Sequence, residues 1–214
     1  MAESRQRKRR PDRRSDERYS AFLAAAIGVF LERGFEKATL DEVIRRSGGS
    51  RATLYAQFGS KEGLFAAIIE EKCRQIVGAL EAAPVDGGLE EGLKGFAAAY
   101  MRELMTTESL ALYRLVIGES SRFPELGAAV FQAGPTAAAD RLAAYLRVHV
   151  EAGALTLPDV DLAARQFMEM IKGDLHSRAL MRTSDIPSRK EVASCIDHAT
   201  AIFLNGARSR RHRK

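Results

Sequence analysis

From Tyr19 the apolar positions recur at three- and four-residue spacing: Tyr19, Phe22, Leu23, Ala26, Ile27, Phe30 and Leu31. That period lines one face of a helix, and Gly34 marks its end as a residue that turns left-handed without strain. Thr39-Leu40-Asp41-Glu42 then has the form of a capping box, in which Thr39 caps a second helix and Glu42 reaches back to the cap N–H. That helix is short and stops at Gly48-Gly49. Ser50 is the next N-cap and opens a third helix to about Phe58; Ser60 caps a longer one starting at Lys61. Three helices in so short a stretch, the last two joined by a glycine turn, form a helix-turn-helix pattern.

The remaining pattern is also helical. The fourth helix runs to near Glu81, before Ala83-Pro84 and Gly87-Gly88, and further helices are expected over 89–105 and 109–120. Phe123-Pro124-Glu125 restarts a short helix, with Pro suited to a first turn. Gly134-Pro135 does the same for 136–152, and Pro158-Asp159 precedes one helix reaching Met181. Residues 184–187 separate it from a last helix over 188–205 that Gly206 closes. There is no strand run, internal repeat or low-complexity segment. The expected fold class is all-α.

Composition sharpens this in three ways. Alanine is abundant, Trp is absent and there are 6 Pro, a mix that favours helices. The net charge of +5 sits at the ends: residues 1–18 carry eight Lys/Arg against four Asp/Glu, and residues 208–214 carry five Lys/Arg and no acid. Such arms suit phosphates or a minor groove. No apolar run approaches the 18–20 residues of a membrane span, and no apolar segment follows the basic start as in a signal peptide, so a cytoplasmic protein with no membrane partner is expected. Cys73 and Cys195 are far apart, each in a helical pattern, and read as buried, inert thiols. His149, His176, His198 and His212 show no metal spacing, and nucleophile motifs, phosphate loops and paired carboxylates are missing. The expectation is a protein without metal, cofactor or catalytic activity.

At this point the chain resembles the TetR family of transcription regulators. The likeness runs through Phe30-Leu31-Glu32-Arg33-Gly34-Phe35, Thr39, Gly48-x-Ser50-Arg51-Ala52-Thr53-Leu54-Tyr55-x-x-Phe58 and Ser60-Lys61-Glu62-x-Leu64-Phe65. The stretch from Tyr113 to Leu126, with Arg114, Glu119 and Phe123-Pro124-Glu125, looks like the C-terminal domain of the AefR-like subgroup. The resemblance implies a homodimer that reads double-stranded operator DNA and is released by a small-molecule inducer, often at efflux or quorum-related genes. It divides the chain into a basic arm (1–16), a three-helix helix-turn-helix DNA-binding domain (17–60), a larger helical ligand-binding and dimerisation domain (61–207) and a basic tail (208–214). An activator with the same fold, or an architectural binder driven by the arms, remains an alternative at this stage.

The third helix would enter the major groove with its N-terminal residues toward base edges. Arg51 pairs with guanine or grips phosphate, and Gln57, where many members carry His, pairs with adenine. Thr53 follows on the same helix, and the resemblance gives Tyr55 a backbone phosphate. Thr39, Ser50 and Lys61, at helix N-termini, are expected phosphate contacts. Two positions depart from the family: Ile44 stands where a small Ala is usual, and Gly49 where an apolar residue such as Val is usual. The expectation is that Ile44 fills the space Gly49 leaves. In the larger domain, Phe96, Tyr100, Met101, Met105, Tyr113 and Phe167 are expected to line a pocket, with Arg114, His176 or Glu119 as polar contacts. By the resemblance the last two helices form the dimer interface, through Phe167, Ile171, Val192, Ile196, Ala199 and Phe203.

Overall fold

The computed structural model describes residues 13–81, 88–182 and 186–207. Among them there is no β-strand, and the chain falls into two compact units that divide between Ile68 and Ile69. The arm expected over 1–16 lies outside the described residues as far as position 12, and from Arg13 the chain is already helical; the tail 208–214 also lies outside them.

The first unit holds α1 (Arg13–Lys37), α2 (Leu40–Ser47), α3 (Arg51–Phe58) and the start of α4 (Lys61–Glu81). Gly34, at φ 74° and ψ 167°, breaks α1 where the sequence placed its end, but one more turn follows to Lys37. That turn lets Phe35 fold back and stack on Phe30 at 5.6 Å, with Phe65 of α4 edge-on to Phe30 at 5.2 Å. Phe22, Phe58 and Leu54 complete the core, Phe22 edge-on to Phe58 at 6.0 Å. Aromatic edges on faces at these separations gain more than area burial alone.

The second unit continues α4 and adds α5 (Leu89–Leu104), α6 (Thr107–Glu119), α7 (Pro124–Phe131), a π-turn (Gln132–Thr136), α8 (Ala137–Glu151), α9 (Val160–Lys172), α10 (Leu175–Met181) and α11 (Arg189–Ala207). Its core is built where α5, α8, α9 and α11 face one another, around Leu93, Met101, Leu142, Phe167 and Ile171. Three junctions differ from the sequence expectation. The break expected at Gly134-Pro135 is a continuous path, because the wide π-turn absorbs the missing Pro N–H and the ring. The single helix expected up to Met181 is two, since Gly173 at φ 50° ends α9. Gly206 does not close α11, which runs through it to Ala207. The N-terminus of α11 carries the capping box that Thr39 lacks: the Ser188 N–H donates to Glu191 Oε2 at 2.9 Å, and the Glu191 N–H to Ser188 Oγ at 3.2 Å.

Candidate nucleic-acid interface

Helix α3 is set by caps at both ends. Ser50 Oγ accepts from the Thr53 N–H at 3.1 Å and lies 2.8 Å from the Thr53 hydroxyl, while the Gly59 N–H bonds the Tyr55 carbonyl. Leu54 and Phe58 turn inward, which leaves Arg51, Ala52, Tyr55 and Ala56 outward on one face. Arg51 and Tyr55 were expected there. Ala52 and Ala56 were not expected there, although their i, i+4 spacing places them beside that pair; their methyl groups leave this face of α3 low enough for close approach to another surface. Gln57 is not part of this face: it is half-buried, and its Oε1 is shut from solvent with no partner among the described residues. Reading adenine would require it to turn outward.

Ahead of α3, Thr39 Oγ1 accepts from the Glu42 N–H at 3.3 Å and caps α2. The Glu42 carboxylate does not reach back to the cap. It takes two hydrogen bonds from Arg45 (2.7 and 3.0 Å) and one from Arg46 (2.8 Å), and these guanidinium groups, Arg45 first, hold its carboxyl down at about 2. Arg46 also grips Glu32 of α1 bidentately at 2.6 and 2.7 Å, so α1 and α2 are joined by a chain of charges. Arg51 pairs with Asp41 of α2. Lys61, expected to clamp phosphate, spends its ammonium on three carbonyls: Phe35 at 2.9 Å, Glu36 at 3.1 Å and Ala38 at 3.3 Å, while lying over the Phe35 ring. It caps the end of α1. With these cations engaged, the groups on this face that could meet a phosphate include, among the described residues, the Thr39 and Ser50 hydroxyls, the Tyr55 phenol and the first N–H groups of α2 and α3.

The Ile44–Gly49 expectation is corrected. A Cβ at Gly49 would meet the Phe22 ring, 2.5 Å from Cε1 and closer still to Cζ, and Phe22 is wholly buried. Phe22 of α1, far from Gly49 along the chain, fills the space.

In the second unit a cavity of about 230 Å³ is lined by Tyr100 of α5, Phe131 of α7, Pro135 and Thr136 of the π-turn, Ala139 of α8, and Arg165, Met168 and Glu169 of α9. Of the residues expected to line a pocket, Tyr100 alone does so among those named for this cavity. Phe96, Met101, Met105 and Phe167 are packed into the core, Phe167 edge-on to Phe203 at 5.0 Å. Arg114 is committed to the carbonyls of Ala179 and Leu180, both at 2.7 Å, where it caps α10. His176 is buried edge-on to Tyr113, its Nε2 without a partner among the described residues, and burial together with Lys172 pushes its pKa down to about 4. Glu119 is half-buried at the end of α6. The expected interface residues Phe167, Ile171, Ile196, Ala199 and Phe203 are likewise core of this unit, with Val192 packed against it. The α11 residues among them pack on α5 and α9, and Phe167 and Ile171 of α9 belong to the core shared by α5, α8, α9 and α11. Cys73 and Cys195 are free thiols; Cys73 is buried as expected and Cys195 only half-buried, and burial raises both, Cys73 to about 11.

Among the described residues no three His, Cys, Asp or Glu side chains are grouped to hold a metal ion, and no helix is long and apolar enough to cross a membrane. Comparison with known proteins gives two family matches: residues 22–68 match the bacterial regulatory proteins of the tetR family, and residues 91–206 the AefR-like transcriptional repressor C-terminal domain. A TetR-family regulator from Mesorhizobium loti superposes with a TM-score of 0.83 at 25% identity, covering 92% of this chain and 100% of the other. The flavonoid-responsive regulator FrrA superposes with a TM-score of 0.78 at 32% identity, over 91% of this chain and 99% of that one. Among curated proteins, the transcriptional activator FasR of Mycolicibacterium smegmatis is 39% identical over 62 residues, 29% of this chain and 28% of FasR. Several such matches span only about a quarter to a third of the relative's length. The chain belongs to the TetR family of transcriptional regulators, with a helix-turn-helix DNA-binding head and a C-terminal domain of AefR-like type.

Proposed function

We infer that the protein is a ligand-responsive transcriptional repressor. As a homodimer it binds a palindromic operator, and a small-molecule inducer releases it. The observation that carries this reading is the outward face of α3, Arg51, Ala52, Tyr55 and Ala56, flanked by the capped N-termini of α2 and α3. One eight-residue helix reads few base pairs, so specificity calls for two, spaced about 34 Å by a two-fold dimer. Arg51 reads a base edge, Ala52 and Ala56 allow the approach, and Thr39, Ser50 and Tyr55 fix the register on phosphates.

The dimer surface in this reading is the outward face of α11. Ser194, His198, Ala201 and Ile202 form an exposed stripe opposite the buried one, with Ile202 61% exposed. Small residues there let two copies of the helix pack closely. Ile202→Glu should convert the dimer to monomer in sedimentation velocity; an unchanged dimer would move the interface elsewhere.

The effector enters the cavity between the π-turn and α9. The likeness to FrrA supports a response to a small molecule, and occupancy shifts the population toward a conformer whose two heads no longer match the operator. Selection of genomic fragments by the purified protein at about 0.15 M salt tests the DNA reading. One or a few palindromic sites support it; unrelated fragments lost steeply with salt point to binding through the basic ends. The likeness to the activator FasR covers 62 residues, so a reporter beside the recovered site, with and without the protein, separates repression from activation.

A further inference from the structure

The cavity has a size and a charge that constrain what occupies it. Its walls are mainly apolar: the Tyr100 and Phe131 rings, Pro135, Ala139 and Met168. These are ring faces and a thioether, surfaces that favour a flat aromatic body over a flexible chain. A cavity of roughly 150 Å³ holds a benzene ring; the 230 Å³ here, whose wall residue Phe131 is 63% exposed, encloses one ring with a small substituent and leaves the rest of a larger ring system in solvent.

The polar side of the wall is asymmetric. Arg165 and Glu169 stand one helical turn apart on α9, a spacing at which they ordinarily pair. Glu169 instead bonds Lys172 at 2.6 Å, and Arg165 has no carboxylate partner among the described residues. The cavity therefore carries one uncompensated guanidinium, a planar fork that matches a carboxylate through two parallel hydrogen bonds. Glu169 beside it opposes a second negative charge. Deeper in the wall, Tyr100 is 4% exposed, and burial keeps its phenol protonated and so a donor.

Resting on the reading of this cavity as the effector site, we propose that its ligand is a single-ring aromatic monoanion of the benzoate class, with the ring between Tyr100, Phe131 and Met168 and the carboxylate on Arg165. Neutral and cationic analogues of the same shape fill the ring site and forgo the charge-assisted pair.

Isothermal titration of the full-length protein with benzoate, benzamide, benzylamine and the three-ring naringenin tests this. Benzoate should bind about three- to fivefold tighter than benzamide, with benzylamine weaker still, since Arg165 is exposed and solvent screens its pairing with a carboxylate. Arg165→Met should bring benzoate down to the benzamide level and leave benzamide unchanged, with the melting temperature preserved. Equal affinity for benzoate and benzamide, or an Arg165→Met variant that keeps the preference, overturns the charge assignment while leaving the cavity as the site. Naringenin binding more tightly than every single-ring probe overturns the size assignment. The cavity itself is tested by Ala139→Met, with Ala139→Leu as a second filler. Arenes that bind both folded fillers as well as the parent show that the effector site lies elsewhere, a different failure from the two before it.

Discussion

Gly49→Val is the substitution that tests the packing of the reading head most sharply, because it moves the chain toward the residue usual in its family. A Cβ there collides with the ring of Phe22, which is fully buried and edge-on to Phe58, itself 5.1 Å from Tyr19. Phe22 is wholly buried against Phe58, so moving its ring disturbs that contact. Overpacking of a close-packed core costs about 1–3 kcal/mol, and a branched side chain at Gly49 belongs at the upper end. In a unit the size of this head, such a loss lowers the midpoint by on the order of 10–20 °C. Calorimetry of the full chain should show an early transition, with hydrogen exchange assigning it to α2 and α3. The partner substitution is Phe22→Leu. Combined with Gly49→Val it should restore about 1–2 kcal/mol relative to Gly49→Val alone, the non-additivity expected of residues in contact. Ile44→Ala with Gly49→Val should show no such recovery. A Gly49→Val protein within 0.5 kcal/mol of the parent, or rescue by Ile44→Ala, would refute the assignment of that space to Phe22.

Other outcomes follow from the same contacts. Lys61→Met should lower stability by about 2 kcal/mol in urea, since three carbonyls lose their cation, with little change in the salt dependence of DNA binding; a salt slope reduced by one phosphate at unchanged stability would restore Lys61 to the backbone clamp. Asp41→Asn frees Arg51 and removes an anion from the DNA face, so non-specific affinity should rise and the salt slope steepen by about one; an unchanged slope counts against Arg51 facing phosphate or base. His176 is neutral in the fold, with its pKa lowered to about 4 from 6.5, so the unfolded chain takes up a proton first as pH falls. Its contribution is intact above pH 6.5 and is lost as pH drops toward 4, against Lys172, which depresses it, and Glu169, which opposes; His176→Phe should flatten urea midpoints across that window.

The head was legible because every boundary in it is written by a cap or a breaker. Thr39, Gly48, Ser50 and Gly59 act through their own backbone or a partner three residues away, and such local chemistry is readable in order along the chain. The failures in the second unit have a common cause. Gly134-Pro135 reads as a stop under local rules, but tertiary packing holds the chain there in a π-turn, with Gly134 buried against Cys73, whose sulfur lies 3.1 Å from where a Cβ would stand. Gly173 looks tolerable inside a helix, yet Cys195 approaches it equally closely, and the backbone turns to φ 50° there. In each case the deciding neighbour is many residues away.

The site followed the same division. On α3 the apolar Leu54 and Phe58 mark the inward face and leave Arg51 and Tyr55 outward, but Gln57, next to Phe58, is half-buried, so polar character alone did not place it. On α9 and α11 the apolar stripe of Phe167, Ile171, Ile196 and Phe203 states that these residues are buried, and period alone does not say whether a neighbouring helix or a second subunit buries them. The informative positions are the ones such a stripe leaves over. Arg165 and Glu169 fall off the buried face of α9 and at pairing distance, and Glu169 has Lys172 three residues on as a competing partner. That competition is visible in the sequence as Arg-x-x-x-Glu-x-x-Lys, and the structure adds that Lys172 wins it and that the cation left over lines a cavity. A cation stranded by its own helix, more than any run of aromatic residues, is what the sequence of α9 offers toward such a pocket.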